Sequence, residues 1–348
     1  MKYYSTLILV SILCFSCSES VESLDMDRIR ELKDYRGTTI MSYNVENLFD
    51  TRDDPNTNDN DFLPLGSKRW TKKRFDKKIA GIASVITEIA PDFPILVGLL
   101  EIENAHCLNS LISNALLKDE LFELLHRDSK DSRGMDVGLL YRTDMLWVQR
   151  TEFIPVVLDN GFHSRDILYV HFRLKGAESL HVYLNHWPSR RKGKAFSEKN
   201  RLKAAKLLRN HINILYDEVP EAKILVMGDF NDYPTDKSIV EGLYADSLKH
   251  QLDQFELLNL SYESQISKRG TYFYRGDWGM LDQMLISKSL LKEDTGLTID
   301  KDNFGIFDAK WLMYTHRKKG ITQPNRTYRG TKYYGGYSDH LPIYIKLN

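Results

Sequence analysis

The sequence predicts an α/β fold, and three observations carry that reading. Ile224–Met227 is an unbroken apolar run, the pattern of a strand buried on both faces, and Gly228 ends it where a side chain would obstruct a turn. Arg74–Ala90 repeats Ile79, Ile82, Ala83, Ile86 and Ile89 at helical spacing, Pro91 stops it, and the apolar run Pro94–Leu100 follows. Strand, helix and strand therefore alternate, which implies a parallel pairing. Polar residues also recur at strand ends, the place where open α/β sheets hold their chemistry.

Taken in order, Thr38–Val45 reads as a strand ending near Asn44, and the acidic stretch Asp50–Asp61 as a solvated loop. That loop lacks the glycine and distal glutamate of a hand-type calcium site. The run Pro94–Leu100 ends in Glu101, a carboxylate that must reach water or a cation. A helix over Ala105–Leu117 precedes strands at Leu121–His126, Asp136–Arg142, Leu146–Val157, Ile167–Leu174 and Leu180–Trp187, the last carrying His186. Ser189–Arg209 holds nine Lys or Arg against one Glu, and Ala195–Leu215 within it is an amphipathic helix whose charges are expected on a solvated face. After Asp229 and Asn231, which leave the strand end on one side, come a helix from about Asp236 and strands at Thr271–Arg275 and Leu281–Ile286, with Asp282 at the start of the latter. Ser287–Gly335 is polar and aromatic, with a basic cluster at His316–Lys319, and carries no readable periodicity. Asp339 and His340 precede the closing strand, Leu341–Leu347.

Composition narrows the function classes. The 348 residues, 42% of them hydrophobic, bury a core, while 48 basic and 48 acidic residues cancel. Affinity for a polyanion must then come from local patches. No HExxH or GxxxxGK[ST] occurs, and beyond the first 17 residues there is no cysteine pair, which excludes the common zinc signatures of the domain and a phosphate-cradling nucleotide loop.

The first residues have the form of a targeting segment: Lys2, an apolar Leu7–Phe15 and then Ser16-Cys17. They resemble a bacterial lipoprotein signal, so residues 1–17 are expected to be a signal peptide with a lipidated Cys17, residues 18–36 a tether and residues 37–348 a single domain. The expected location is extracytoplasmic, membrane-anchored in a bacterial envelope. Cys107 is left as a lone, buried thiol, with no disulfide framework possible.

MSYNVENLFD at 41–50, GLLEIEN at 98–104, NHWPSR at 185–190, GDFND at 228–232, LDQMLIS at 281–287 and YSDHLP at 337–342 together resemble the endonuclease/exonuclease/phosphatase superfamily. The resemblance spans nearly the whole chain from residue 38. It implies a deoxyribonuclease I-like four-layer α/β/β/α sandwich, two packed mixed sheets with helices outside. It further implies hydrolysis of phosphoesters with Mg2+ or Mn2+. Glu101 would bind the cation, with Asn44 and Asp339 completing or orienting its shell. Asp229 would deprotonate the attacking water, Asn231 would hold the phosphate or that water, and His340, fixed by Asp282, would donate to the phosphate. His186 would stabilise the transition state or protonate the departing oxygen, with Asp136 orienting it. Arg133, Arg190 and Arg191 would grip substrate phosphate, since a guanidinium meets phosphate in a fork. Leu100 departs from the polar residue often found there in the family.

The leading expectation is a nuclease on DNA or RNA, with Lys68–Lys78, Arg190–Lys206 and the late tyrosines 328, 333 and 334 tracking a backbone and stacking bases. The alternatives are a phosphatase or phosphodiesterase on a lipid headgroup, inositol phosphate or small phosphoester, and a non-catalytic surface binding module. A monomer is the expected state.

Overall fold

The fold was analysed in a computed structural model that describes residue 29 and residues 31–159, 161–191, 193–246, 252–291 and 296–348. Cys17, most of the expected tether and Lys192 lie outside these residues. The first half of the chain contributes β1 (Thr39–Leu48), α1 (Lys72–Ile89), β2 (Leu96–Ile102), α2 (Ala105–Ile112), β3 (Phe122–His126), β4 (Asp136–Arg142), β5 (Trp147–Ile154), β6 (Ile167–Arg173) and β7 (Ser179–His186). The second half begins with α3 (Lys194–Glu218), β8 (Ile224–Asp229), β9 (Ala245–Asp246) and β10 (Leu257–Asn259). It continues with β11 (Tyr272–Tyr274), β12 (Asp277–Gly279), β13 (Asp282–Ser287) and β14 (Gly305–Ile306). Two short hairpins, β15 (Met313–Thr315) with β16 (Thr322–Pro324) and β17 (Tyr328–Arg329) with β18 (Lys332–Tyr333), precede β19 (Ile343–Lys346).

Two mixed sheets pack face to face. One runs β14-β19-β1-β2-β4-β3 and the other β5-β6-β7-β8-β13-β10-β9. Met41 and Leu99 of the first and Leu184, Met227 and Met284 of the second share one core. The sheets approach so closely at Gly98 that an added Cβ would lie 2.6 Å from Leu184 Cδ1 and 2.9 Å from Met227 Cε. On the outer face of the second sheet, Ala204, Ala205, Leu208 and Ile212 of α3 pack on Tyr183, Ile224 and Val226. Helix α1 buries Ile79, Ile82, Ala83, Ile86 and Ile89 as its spacing predicts, and contributes them to the core of the first sheet. The result is the four-layer sandwich expected.

Among the strands of the described residues, parallel pairing occurs at β1–β2, β7–β8 and β9–β10. The first two of these are the pairs whose connections carry a long helix, α1 or α3, because a parallel neighbour needs a crossover. Other elements differ from the sequence reading locally. The helix expected from Asp236 is a single π turn, Ser238–Gly242, and the helix expected over Ala105–Leu117 stops at Ile112. The unreadable Ser287–Gly335 region contains the β15–β16 and β17–β18 hairpins, whose two- and three-residue strands are too short to show a period. They are anchored by an aromatic cluster in which Tyr328 packs on Phe62 and Trp70. Among the described residues no helix is long and apolar enough to cross a membrane.

Candidate active site

Strand register places the site. Across the second sheet His186 pairs with Asp229, and Asp229 with Asp282, so three strand ends present these residues side by side. Gly228 makes this possible: at φ 134 it lies against the β7 backbone, where a Cβ would meet Asn185 O at 1.9 Å. In the first sheet Asn44 faces Leu100 across the β1–β2 pair, and the register then shifts. Glu101 occupies that irregularity in the left-handed region, φ 66, which turns its carboxylate away from the pleat and toward the rim. Leu100 itself is fully buried.

Asn44 bridges the sheets. Its Nδ2 donates to Glu101 Oε1 at 3.3 Å and to Asp229 Oδ2 at 3.1 Å, while its Oδ1 accepts from Glu46 N. Of the two roles expected for Asn44, this geometry serves orientation of the carboxylates. Glu101 Oε2 also accepts from Asn47 N at 2.8 Å. Asp229 Oδ1 accepts from Asn231 N at 2.8 Å, and His186 Nε2 and His340 Nε2 stand 3.7 and 4.0 Å from Asp229 Oδ2. Burial, with Asp282 adding to it, pushes the Asp229 carboxyl up to about 7, against the pull of His340 and the two hydrogen bonds. Asn231 is left-handed at φ 51 and spends its Nδ2 on Trp187 O.

The two histidines are set apart electrostatically. Burial would lower His340, but Asp282 Oδ2 accepts from its Nδ1 at 2.6 Å, and with Asp229 and Asp339 nearby the imidazole is raised to about 10. It is therefore an imidazolium at neutral pH. Thr271 Oγ1 donates to the same Asp282 oxygen and holds it. His186 is buried without a nearby carboxylate in contact at Nδ1, and burial, helped by Arg165 and Arg133, drives it well below the usual histidine range. It is a neutral imidazole. Asp136 does not orient it: both Asp136 oxygens accept from Ser129 N at 3.1 Å.

A cavity of about 380 Å³ opens over these groups, and Glu101, His186, Asp229, Asn231, Asp339 and His340 all reach its wall. So do Arg133, Arg190 and Arg191, but they differ in availability. Arg190 is already held by Asn231 O, Asp232 and Asp236, and Arg133 by Asp131. The helical basic stretch is not wholly a solvated face either. Arg201 is fully buried and pairs with Asp232 at 2.6 Å, an ion pair that braces the loop following β8.

Three further residues at the cavity, and Arg326 bonded to one of its lining residues, escaped the sequence reading. Arg165 is buried beside His186 with its Nε lacking a partner, and nothing but its place before a strand marked it. Tyr272 packs on the His340 ring at 4.8 Å between centroids and stacks in turn with Tyr274, an alternation inside a three-residue strand. Arg326 donates to Asp339 Oδ2 at 2.5 Å and approaches Glu46, tying the late hairpins to the site. Its region offered no periodic signal.

Glu101 and Asp339 both line the cavity with oxygen donors, of which Asp339 Oδ2 is held by Arg326, and a carboxylate oxygen set of this kind suits a divalent cation of the magnesium class. Asp229, Asp282 and His340 also converge, but a hydrogen-bonded carboxylate–imidazolium set repels a cation at the ring.

Two packed mixed sheets thus carry an acidic cluster and two histidines at one rim. The chain belongs to the endonuclease/exonuclease/phosphatase family, whose model matches residues 39–348, and whose superfamily members hydrolyse phosphoesters. Solved structures share the fold at low identity. The mannosyl-6-phosphatase of Bacteroides thetaiotaomicron VPI-5482 is 16% identical, with 89% of this chain and 99% of that one covered and a TM-score of 0.55. D. rerio TDP2 complexed with single-strand DNA product is 15% identical over 89% and 98% of the two chains, TM-score 0.53. The human Nocturnin catalytic domain with bound sulfate is 12% identical over 91% and 96%, TM-score 0.53. No curated protein sequence matches the chain significantly.

Proposed function

We propose that the chain is a divalent-cation-dependent phosphodiesterase, a nuclease on DNA or RNA, working by water activated at Asp229. The observation that supports this most is geometric: Asp229 Oδ2 stands 3.7 Å from His186 Nε2 and 4.0 Å from His340 Nε2 where all three line one cavity, with burial raising the carboxyl and the Asp282 partner raising the His340 imidazole. A base titrating near the working pH takes a proton from water effectively, and a fixed imidazolium offsets charge gathering on the phosphate. Bound at Glu101 and Asp339, Mg2+ or Mn2+ would supply Lewis-acid stabilisation of that charge. Asn44 holds the two carboxylates in register, and His186 offers its Nε2 to the reacting phosphate beside Asp229. With its pKa lowered by burial, His186 is suited to stabilising the transition state through its Nε2. Arg191 is the guanidinium placed to meet substrate phosphate, while Arg165, held by Trp187 O and Asp131, adds positive charge to the wall.

A second reading, a phosphatase or phosphodiesterase on a compact phosphoester, gains from the use made of the basic stretch 68–78. Lys78 is buried against Thr327 and Tyr337, and Lys72 pairs with Asp76. Neither side chain is free to follow a strand. Hydrolysis of plasmid DNA, RNA and a panel of small phosphoesters, with Mg2+, Mn2+ or chelator, separates the readings. Metal-dependent nicking lost in Asp229→Asn and His340→Ala supports the nuclease; turnover of small esters with intact plasmid moves the assignment to the second reading. Absence of all turnover removes both and leaves a binding module.

The same proposal places residues 37–348 as one catalytic unit on a lipid-anchored chain of a bacterial envelope. Incorporation of labelled palmitate in a bacterial host, abolished by Cys17→Ser, is the expected result; soluble, unlabelled protein would refute the anchor.

A further inference from the structure

The two late hairpins build a second cavity, of about 130 Å³, lined by Arg326, Arg329, His316, Gln323, Tyr314 and Tyr334 together with Pro324 and Asn325. No carboxylate lines it. Arg329, a histidine and two tyrosines therefore line one small space beside Arg326, whose guanidinium is paired with Asp339 and Glu46. Tyr314 and Tyr334 are 43% and 48% exposed, so their rings are open to a ligand, and Lys332 Nζ adds a further charge 5.2 Å from the Tyr334 ring. Arg326 joins this cavity to the catalytic one, because the same guanidinium donates to Asp339, which lines the catalytic wall. The two spaces are thus separated by about the reach of one side chain.

We infer that this second cavity is a subsite for the neighbouring phosphate of a single nucleic-acid strand, with a base of that strand stacked on Tyr334 or Tyr314. The inference rests on the nuclease reading above and deepens it. A second phosphate beside the scissile one distinguishes a strand from a monoester, and a positively charged aromatic pocket answers both parts of a nucleotide, charge and ring. Arg329 is bound only to the neutral Gln323 Oε1 at 3.1 Å, so its charge is not neutralised within the described residues. The tyrosines that the sequence analysis set aside for stacking divide accordingly. Tyr328 is buried as an anchor, whereas Tyr334 lies at the open cavity.

The test is binding, read without turnover. Fluorescently labelled oligothymidylate is titrated into the Asp229→Asn chain, and into the same chain carrying Arg329→Ala, Tyr334→Ala or Tyr334→Phe, over a salt series. Both substituted side chains are exposed, and thermal melts check that each variant is folded. Arg329→Ala is expected to weaken binding about tenfold and to reduce the salt slope by about one. Tyr334→Ala is expected to weaken it roughly 5- to 100-fold, the range of one lost base stack, with Tyr334→Phe restoring it. Unchanged affinity in Arg329→Ala and Tyr334→Ala overturns the subsite. Loss of inorganic pyrophosphate binding in Arg329→Ala with no effect of Tyr334→Ala overturns the strand assignment in favour of a small polyphosphate. The outcomes are separable from the parent reading: intact hydrolysis with unaltered binding sinks only the subsite, and altered binding without any hydrolysis sinks only the catalytic proposal.

Discussion

Asp229 and His340 are separate in sequence and close in space, and their protonation states follow from opposite balances. For Asp229, burial outweighs its hydrogen bonds; for His340, three carboxylates outweigh burial. Asp229→Asn is expected to lower kcat about 10²- to 10⁴-fold, the usual contribution of a general base, while leaving the melting temperature within a few degrees. Hydrolysis kinetics beside a thermal melt check this, and an activity loss accompanied by unfolding would remove the assignment. Asp282→Asn is expected to bring His340 down from about 10 toward or below the ordinary histidine value, since the remaining large influence is burial. In an NMR titration the His340 ring should stay protonated from pH 6 to 8 in the native chain and titrate in Asp282→Asn. For a raised pKa the stabilisation is complete below about 6.5 and is lost as pH rises through about 10, so Asp282→Asn should narrow the stability difference between pH 7 and pH 10.

At the scale of the element, the β6–β7 pair carries a pH liability away from the site. His171 and His181 stack at 4.3 Å on neighbouring strands, with His181 Nδ1 paired to the Tyr169 hydroxyl at 2.9 Å. Burial first, then the Arg173 and Arg150 charges, lower both, to about 4 and about 3, with His171 adding to the shift at His181. Here the unfolded chain binds more protons than the folded one below about pH 6.5. Stability is therefore intact above that value and falls as pH drops toward 4, by about 1.4 kcal/mol per unit for buried His181 and less for His171, which water reaches. Urea midpoints should decline between pH 6.5 and 4.5 in the native chain and decline less in His181→Gln; parallel curves would refute this origin. The helices show what an element's sequence conveys. Helix α1 announced its buried face through five residues at helical spacing, whereas α3 hid Arg201 among solvated charges. Apolar spacing reports burial directly, but a buried cation is visible only once its carboxylate partner, here Asp232, is brought to it.

For the whole molecule, the close approach of the sheets at Gly98 is a condition for the site, because Asn44 and Glu101 come from one sheet and Asp229, Asp282 and His186 from the other. Gly98→Val is expected to destabilise the fold by about 1–3 kcal/mol through overpacking against Leu184 and Met227, lowering the urea midpoint, and to reduce activity beyond the loss of folded protein. A variant with native kcat per folded molecule would show that the sheet spacing does not govern the site. The chain by itself determined the α/β class, the long helices, the strands that carry Asn44, Glu101, His186, Asp229 and Asp282, and the family. Those features are local: hydrophobic period, a glycine at a strand end, and short motifs preserved in order. Only the tertiary structure decided that most strand pairs are antiparallel, that Asn44 bridges two carboxylates, that Asp136 turns to Ser129, that Arg165 and Tyr272 join the cavity, and that Arg326 bonds Asp339 at its wall. Each of these depends on groups far apart in the chain being held within a few ångströms by packing between sheets, and no period or motif in a single segment encodes such a distance.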